Sequence, residues 1–175
     1  MDDLRFPIGR FVPPVKTATA QQRLEWIDQI ALAPEQLRAA VGGLSADQLD
    51  TPYRPEGWTI RQVAHHLPDS HMNAYTRFKL ALTEDGPTIK PYQEDKWAEL
   101  PDSQLTPPEV SIALLEALHM RWVTLLRSLS AADLARKFDH PETGVKTLEE
   151  TLALYAWHGR HHVAHITSLR ERKGW

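Results

Sequence analysis

Four threonines stand at the beginning of apolar stripes with helical spacing, and these signals constrain the fold more than any other feature of the chain. Thr19, Thr59 and Thr147 are each followed three positions later by glutamine or glutamate, the capping-box pattern that satisfies free backbone N–H groups at a helix start. Thr106 is followed by two prolines, which are typical of a first helical turn. No segment shows convincing strand alternation. We therefore predict an all-α fold with four long helices.

The four predicted helices suit a four-helix bundle. They cover about residues 19–41, 59–82, 106–129 and 148–172. Pro34 and Pro68 lie inside the first two, where each removes a backbone hydrogen bond and is expected to kink the helix. The pattern Ser45–Leu49 recurs as Ser130–Leu134 after the third helix, which indicates two helical hairpins. Residues 83–105 form a long crossover that allows the second and third helices to run parallel.

The first segment of the chain, residues 1–18, has a composition unlike that of the predicted helices. It is too rich in proline for a helix and too apolar for a free tail, with Phe6, Ile8, Phe11 and Val12 among its side chains. We predict an extended N-terminal arm, laid on its own domain or on a neighbouring subunit. A disordered tail is the alternative.

The composition excludes several classes of protein. A length of 175 residues favours one domain over residues 1–175. The chain has no cysteine, which excludes disulfides and thiolate metal sites. A net charge of −3 without a basic stripe argues against nucleic-acid binding. With no signal peptide and no run near the roughly 20 apolar residues of a membrane span, we expect a cytoplasmic protein that does not bind a membrane.

The last predicted helix carries four of the nine histidines, arranged as two pairs with a spacing of four residues. Residues at this spacing point the same way on a helix. His158 and His162 lie within or at the edge of the apolar stripe, whereas His161 and His165 project toward solvent. A neutral imidazole pair at this spacing suits a transition metal. His158 and His162 are therefore candidate metal ligands, with two ordinary hydrogen-bonded histidines as the alternative.

A third ligand would have to come from another helix. The second predicted helix carries His65, His66 and His71; helical projection puts His71 on the apolar face, His66 on its flank and His65 away from it. From spacing alone, the third ligand could be His66 or His71. His119 on the third helix is predicted to pack or to support a ligand. Three neutral imidazoles would leave a fourth position open, as in catalytic zinc sites, although nickel or iron would also accept them.

Several motifs are spread along the chain almost from end to end. They are Phe6-Pro7-Ile8-Gly9, Leu49–Arg54, Gly57-Trp58-Thr59, Arg61–His66, Asp69–Asn73, Arg77–Leu80, Leu118-His119, Arg121-Trp122, Trp157-His158, His161–Ile166 and Gly174-Trp175. This set resembles the DinB/YfiT-like superfamily of metal-dependent enzymes, and within it the YfiT-type hydrolases. One departure is Pro68, where a small helix-favouring residue is expected.

The resemblance implies both an architecture and a metal site. The architecture is an up-down-down-up four-helix bundle that forms a homodimer. The site is one divalent ion per subunit, with zinc as the first expectation and nickel as the second. Carried over residue by residue, the ligands fall on His66, His158 and His162.

Three functions are consistent with such a site. The resemblance implies a hydrolase that cleaves an amide or ester bond of a small molecule with metal-activated water. The sequence has no H-E-x-x-H or G-x-S-x-G motif, so the catalytic group stays open, and Asp69 or Glu56 are candidates to assist the water. An S-transferase that joins a low-molecular-weight thiol, such as bacillithiol, to an electrophile is the alternative. A non-catalytic, metal-stabilised binding bundle is the second alternative.

Overall fold

The structure is a computed structural model that describes residues 4–175. Its elements in chain order are α1 (Ala20–Val41), α2 (Ala46–Leu49), α3 (Ile60–Thr83), α4 (Glu94–Ala98), α5 (Pro101–Leu105), α6 (Pro108–Ser128), α7 (Ala131–Leu134), β1 (Lys137–His140), β2 (Gly144–Thr147) and α8 (Leu148–Lys173). The long helices α1, α3, α6 and α8 form the predicted four-helix bundle. Within residues 4–175, none of the helices combines the length and the apolarity that a bilayer crossing requires.

Three of the four predicted caps start their helices. Each threonine hydroxyl accepts a hydrogen bond from a backbone N–H, and the side chain three positions later accepts the threonine N–H, in the pairs Thr19–Gln22, Thr59–Gln62 and Thr147–Glu150. The prediction for Thr106 is wrong by one residue, because Pro107 occupies the cap position of α6. A proline start needs no N–H partner, and the Thr106 carbonyl instead lies 3.0 Å from Nε2 of His65.

Two apolar clusters fix the directions of the long helices. The first joins the early parts of α1 and α8 to the late parts of α3 and α6, through Ile30, Leu152, Phe78 and Trp122. The second joins the opposite ends of the same helices, through Leu37, Ile166, Ile60 and Ile112. Helices α1 and α8 therefore run one way and α3 and α6 run the other. This is the predicted up-down-down-up arrangement.

A short hairpin that the sequence does not indicate precedes α8 in the otherwise helical fold. Strands β1 and β2 pair antiparallel, and Phe138 is the buried side chain in them. Gly144 has a φ of 75°, a conformation that favours glycine. Strands of four residues with one buried side chain give too short an alternation to be recognised in a sequence.

The predicted crossover between α3 and α6 contains the short helices α4 and α5. Its start is held by the hairpin, because the Ile89 N–H donates to the Asp139 carbonyl at 2.9 Å. Its middle is held by α3, because Nε2 of Gln62 donates to the Ala98 carbonyl at 2.8 Å. These contacts hold the crossover against the hairpin and against the start of α3.

The described part of the arm, residues 4–18, lies along α8 of its own chain. The ring of Phe6 is 5.9 Å from that of His161, and the ring of Phe11 is 5.9 Å from that of Trp157. The Ala18 N–H donates to the Glu149 carboxylate at 3.1 Å. The extended arm is therefore confirmed for these residues; positions 1–3 of the prediction lie outside the described residues.

Candidate metal centre

A layer of histidines separates the two apolar clusters halfway along the bundle. Its members are His66 and His71 on α3, His119 on α6, and His158 and His162 on α8. Apolar side chains pack above and below this layer, and a buried polar group needs a partner to offset its lost hydration. The hydrogen-bond partner of each ring nitrogen therefore decides which of these histidines could bind a metal ion.

Three of these histidines, His66, His158 and His162, form a group that we call the triad. Each brings one ring nitrogen to within 4.8 Å of the others, and within residues 4–175 no other group of histidine, aspartate or glutamate side chains does so. The Nε2 atoms of His66 and His158 are 3.4 Å apart. Two nitrogens on one tetrahedral zinc at about 2.0–2.1 Å would stand roughly 3.3–3.4 Å apart. The triad therefore fits a divalent ion.

The protonation state of the triad also suits a metal. Burial, and then the nearby His165 and His161, lower the pKa of His66 to about 3. Burial holds the pKa of His158 and His162 well below the ordinary value; His66 lowers the pKa of His158 further, and His158 and then His66 lower that of His162. Among the described residues, Nδ1 of His162 is buried without a hydrogen-bond partner. Because metals bind the neutral imidazole, no proton has to be displaced at neutral pH.

The other two histidines of α3 have both ring nitrogens engaged. For His71, the alternative third ligand, Nδ1 is 2.8 Å from Nε2 of His119 and Nε2 is 3.2 Å from Nδ1 of His158. His65 is buried, although the sequence pattern placed it away from the apolar face. Its Nδ1 lies 2.6 Å from the Ser111 hydroxyl. Only His66 thus joins the α8 pair in the group that could hold an ion.

The prediction that His161 and His165 project toward solvent is wrong, because they are 6% and 3% exposed. The ring of His165 stacks on Tyr53 at 4.0 Å, and its Nε2–H donates to the Arg5 carbonyl at 3.0 Å. The ring of His161 stacks on Trp157 at 4.2 Å. Helical projection locates a residue relative to the bundle core, whereas these two rings are covered from outside by the arm and by the loop before α3.

A cavity of about 390 Å³ opens onto the triad. Its lining includes the aromatic side chains of Phe6, Tyr53, Trp58 and Trp157, the triad with His161 and His165, and the charged Arg5, Arg54, Glu56, Glu94 and Asp95. This volume suits a small molecule. The walls offer such a molecule flat apolar surfaces and charges of both signs.

The carboxylates of this cavity differ from the sequence-based candidates. Asp69 is not among its lining residues; burial and then Asp102 raise the pKa of Asp69 to about 6. Glu56 does line the cavity and has a φ of 57°, which is costly for a residue other than glycine. Glu94 and Asp95 were missed, because no sequence signal shows that α4 folds back over the triad.

Comparisons with known proteins agree with this fold and site. Residues 29–166 match the family model of the DinB superfamily. A protein from Bacillus mycoides (strain KBAB4), provisionally named a metal-dependent hydrolase, is 59% identical over 175 residues and both chains are covered completely. A protein from Bacillus cereus (strain 03BB102) with the same provisional name is 58% identical over 176 residues, again with complete coverage of both.

Two solved structures are similar to the chain. YfiT from Bacillus subtilis, described as a probable metal-dependent hydrolase with an unusual four-helix bundle topology, superimposes with a TM-score of 0.96 at 50% identity and covers 99% of each chain. The four-helix bundle protein TT2238 has a TM-score of 0.60 at 18% identity and covers 83% of this chain and 98% of its own. The second similarity supports the fold alone.

Proposed function

The chain belongs to the DinB superfamily, and on this premise we propose that it is a metal-dependent hydrolase with a divalent ion held by His66, His158 and His162. The observation that carries the proposal is the approach of the three ring nitrogens to within 4.8 Å in a layer between two apolar clusters. Relatives of full length carry the same provisional function in their names. We propose zinc as the ion and nickel as the second candidate, because both accept imidazole ligands.

The side chains of this chain would prepare the reaction around the ion. When bound, the ion supplies Lewis acidity, which lowers the pKa of water to about 7 and polarises a carbonyl group. The three neutral imidazoles leave its positive charge uncompensated, so that charge acts on the substrate. Trp58 and Trp157 line the cavity and would hold a small substrate by its apolar faces. We therefore propose a small molecule with an amide or ester bond as the substrate.

We propose Glu94 as the general acid–base residue of the hydrolysis. It lines the cavity, and partial burial followed by the charge of Asp95 raises its pKa, which is the direction that favours general acid–base catalysis at neutral pH. We expect Glu94→Gln to lower kcat by about 10²–10⁴-fold while the metal content stays at the wild-type value. Steady-state kinetics and metal analysis measure both. Asp69→Asn is the control and should keep wild-type rates; equal rates in Glu94→Gln and wild type would leave Glu56 and Asp95, the other carboxylates that line the cavity, as candidates.

Thiol transfer is a second candidate function, because a second cavity adjoins the first. Its volume is about 550 Å³, and Glu94, Asp95 and His158 line both spaces. Arg77 and Tyr92 line the second space but not the first. A thiol and an electrophile could therefore occupy the two spaces on either side of the triad.

Metal analysis and a substrate panel test these proposals together. We expect one ion per chain and hydrolysis of at least one class of ester or amide, abolished by a chelator and restored by zinc or nickel. One ion, no hydrolysis and a cobalt-substituted spectrum that shifts with thiols would support the transferase. One ion and a spectrum that no thiol or small anion perturbs would support a non-catalytic binding bundle. Absence of any bound ion would refute the site.

We also propose that the chain forms a homodimer. The expected result in light scattering is a particle of twice the 20.0 kDa chain mass. A monomer at all accessible concentrations would contradict it.

A further inference from the structure

A row of three histidines leads from the first helix of the bundle to the triad. Nδ1 of His119 is 2.7 Å from the Ile30 carbonyl oxygen. Nε2 of His119 is 2.8 Å from Nδ1 of His71, and Nε2 of His71 is 3.2 Å from Nδ1 of His158. His71 is 0% and His119 is 3% exposed, so water does not compete for these hydrogen bonds. We call His119, His71 and His158 the histidine row.

The first hydrogen bond of the row fixes the proton positions in all the others. A carbonyl oxygen only accepts, so Nδ1 of His119 must be the donor. A neutral imidazole has one N–H, so Nε2 of His119 accepts and Nδ1 of His71 donates. The same reasoning makes Nε2 of His71 the acceptor and Nδ1 of His158 the donor. Nε2 of His158, which lies 3.4 Å from Nε2 of His66 and 3.4 Å from the Ser70 hydroxyl oxygen, therefore carries no proton and keeps its lone pair.

Pro34 explains why the Ile30 carbonyl can begin the row. In an α-helix this carbonyl would accept from the N–H four residues later, and the residue at that position is Pro34, which has no N–H. Helix α1 nevertheless continues through Pro34. The carbonyl would be left without this partner in the core, which is costly, and His119 supplies the missing donor.

We propose that Pro34, His119 and His71 are positioning residues that set the tautomer of His158, so that its Nε2 lone pair points into the metal site. The inference rests on the proposed function, but it concerns the proton positions of the metal-free chain. The opposite tautomer of His158 would direct an N–H from Nε2 at His66, and this nitrogen would then have no lone pair for an ion. Supporting partners of this kind typically contribute 10–100-fold to metal affinity.

The direct test is NMR of the metal-free wild-type protein with nitrogen-labelled histidine. Long-range proton–nitrogen correlations distinguish a ring nitrogen that carries a proton from one that does not. We expect the proton on Nδ1 in His119, His71 and His158. A proton on Nε2 of His158 would overturn the inference. This measurement needs neither metal nor substrate, whereas failure of the same protein to bind any divalent ion would refute the proposed function instead.

Two substitutions of His119 separate positioning from packing. His119→Leu removes both hydrogen bonds, and we expect mixed tautomers at His71 and His158 together with about 10–100-fold weaker zinc binding. His119→Gln keeps an amide donor for Ile30 and an acceptor for His71, and should retain the wild-type tautomers and affinity. Weakened affinity in both variants with unchanged tautomers would show a merely structural role. Circular dichroism checks their folding, and the wild-type measurement decides the question if either variant fails to fold.

Pro34→Ala tests the origin of the row. The new backbone N–H would compete for the Ile30 carbonyl, because α1 then offers the ordinary helical donor. We expect a partial shift of the His119, His71 and His158 tautomers in the same direction as in His119→Leu, and a smaller loss of zinc affinity. Wild-type tautomers in Pro34→Ala would overturn the assignment of Pro34 as a positioning residue.

Discussion

Replacing His66, His158 or His162 with alanine is expected to lower the affinity for zinc by more than about 100-fold, because loss of a direct ligand exceeds the 10–100-fold cost of losing a supporting partner. Each substitution leaves two imidazoles of the triad. A competition titration against a coloured chelator measures the affinity, and metal analysis of the purified variants gives the stoichiometry.

His161→Ala is the matched control for this experiment. His161 lies on the same helix, is buried and lines the same cavity, but it stands outside the triad. We expect it to retain one ion with an affinity close to that of the wild type. Wild-type stoichiometry in all three triad variants would contradict the proposed ligands. Loss of metal in His161→Ala with retention in His162→Ala would assign the ion to the other histidine pair of α8.

The α8 half of the triad could be predicted from the sequence because α8 has unambiguous ends. The capping box at Thr147 and the stop at Gly174, whose φ is 69°, fix where the helix begins and ends. Once the ends of the helix are known, its apolar stripe shows which side faces the core. His158 and His162 lie on that side. Strong local signals and one helical period are sufficient here.

The choice between His66 and His71 could not be made from spacing. Both are buried on α3, and periodicity does not report which buried histidine has a nitrogen free. That depends on His119, which comes from α6 and engages Nδ1 of His71. The decisive contact is therefore between helices far apart in sequence, and the family resemblance rather than the spacing pointed to His66.

The cover of the cavity was beyond sequence reasoning for a related reason. The burial of His161 and His165 depends on the arm, and the position of Glu94 and Asp95 depends on the crossover. The arm is irregular, the crossover contains only the short helices α4 and α5, and long-range contacts such as the hydrogen bond from His165 to the Arg5 carbonyl hold them in place. Segments this short or irregular show no helical or extended period, so their contacts leave no pattern in the sequence.

Lowering the pH from about 7.5 to about 5 is expected to destabilise the metal-free protein strongly. All nine histidines of the chain have a pKa below the ordinary value of 6.5, and burial is the largest cause for each. In the unfolded chain they take up protons near pH 6.5, whereas in the folded chain they stay neutral to lower pH. The unfolded state therefore binds more protons below this pH, and the free energy of unfolding falls as the pH falls.

The slope of this dependence is what makes the effect large. Each proton bound by the unfolded state alone lowers the free energy of unfolding by about 1.4 kcal/mol per pH unit, and several buried histidines act together. Asp69 and Glu94 act in the opposite direction, because their raised pKa values let the folded state bind protons first. Two acids offset only part of the contribution of nine histidines.

Urea unfolding of the metal-free protein at several pH values measures this slope. We expect the midpoint to be nearly constant above about pH 7.5 and to fall steeply below about pH 6.5. His140→Gln is the control, because His140 lies on the hairpin outside the histidine layer and its loss should leave the steep fall intact. Zinc held by the proposed ligands would stabilise the folded state and would require neutral imidazoles, so it should raise the midpoint most at neutral pH and least in acid. A midpoint independent of pH down to about pH 5 would show that protons enter the histidine layer without unfolding it, and the apolar clusters could then not be what keeps the triad ready for metal.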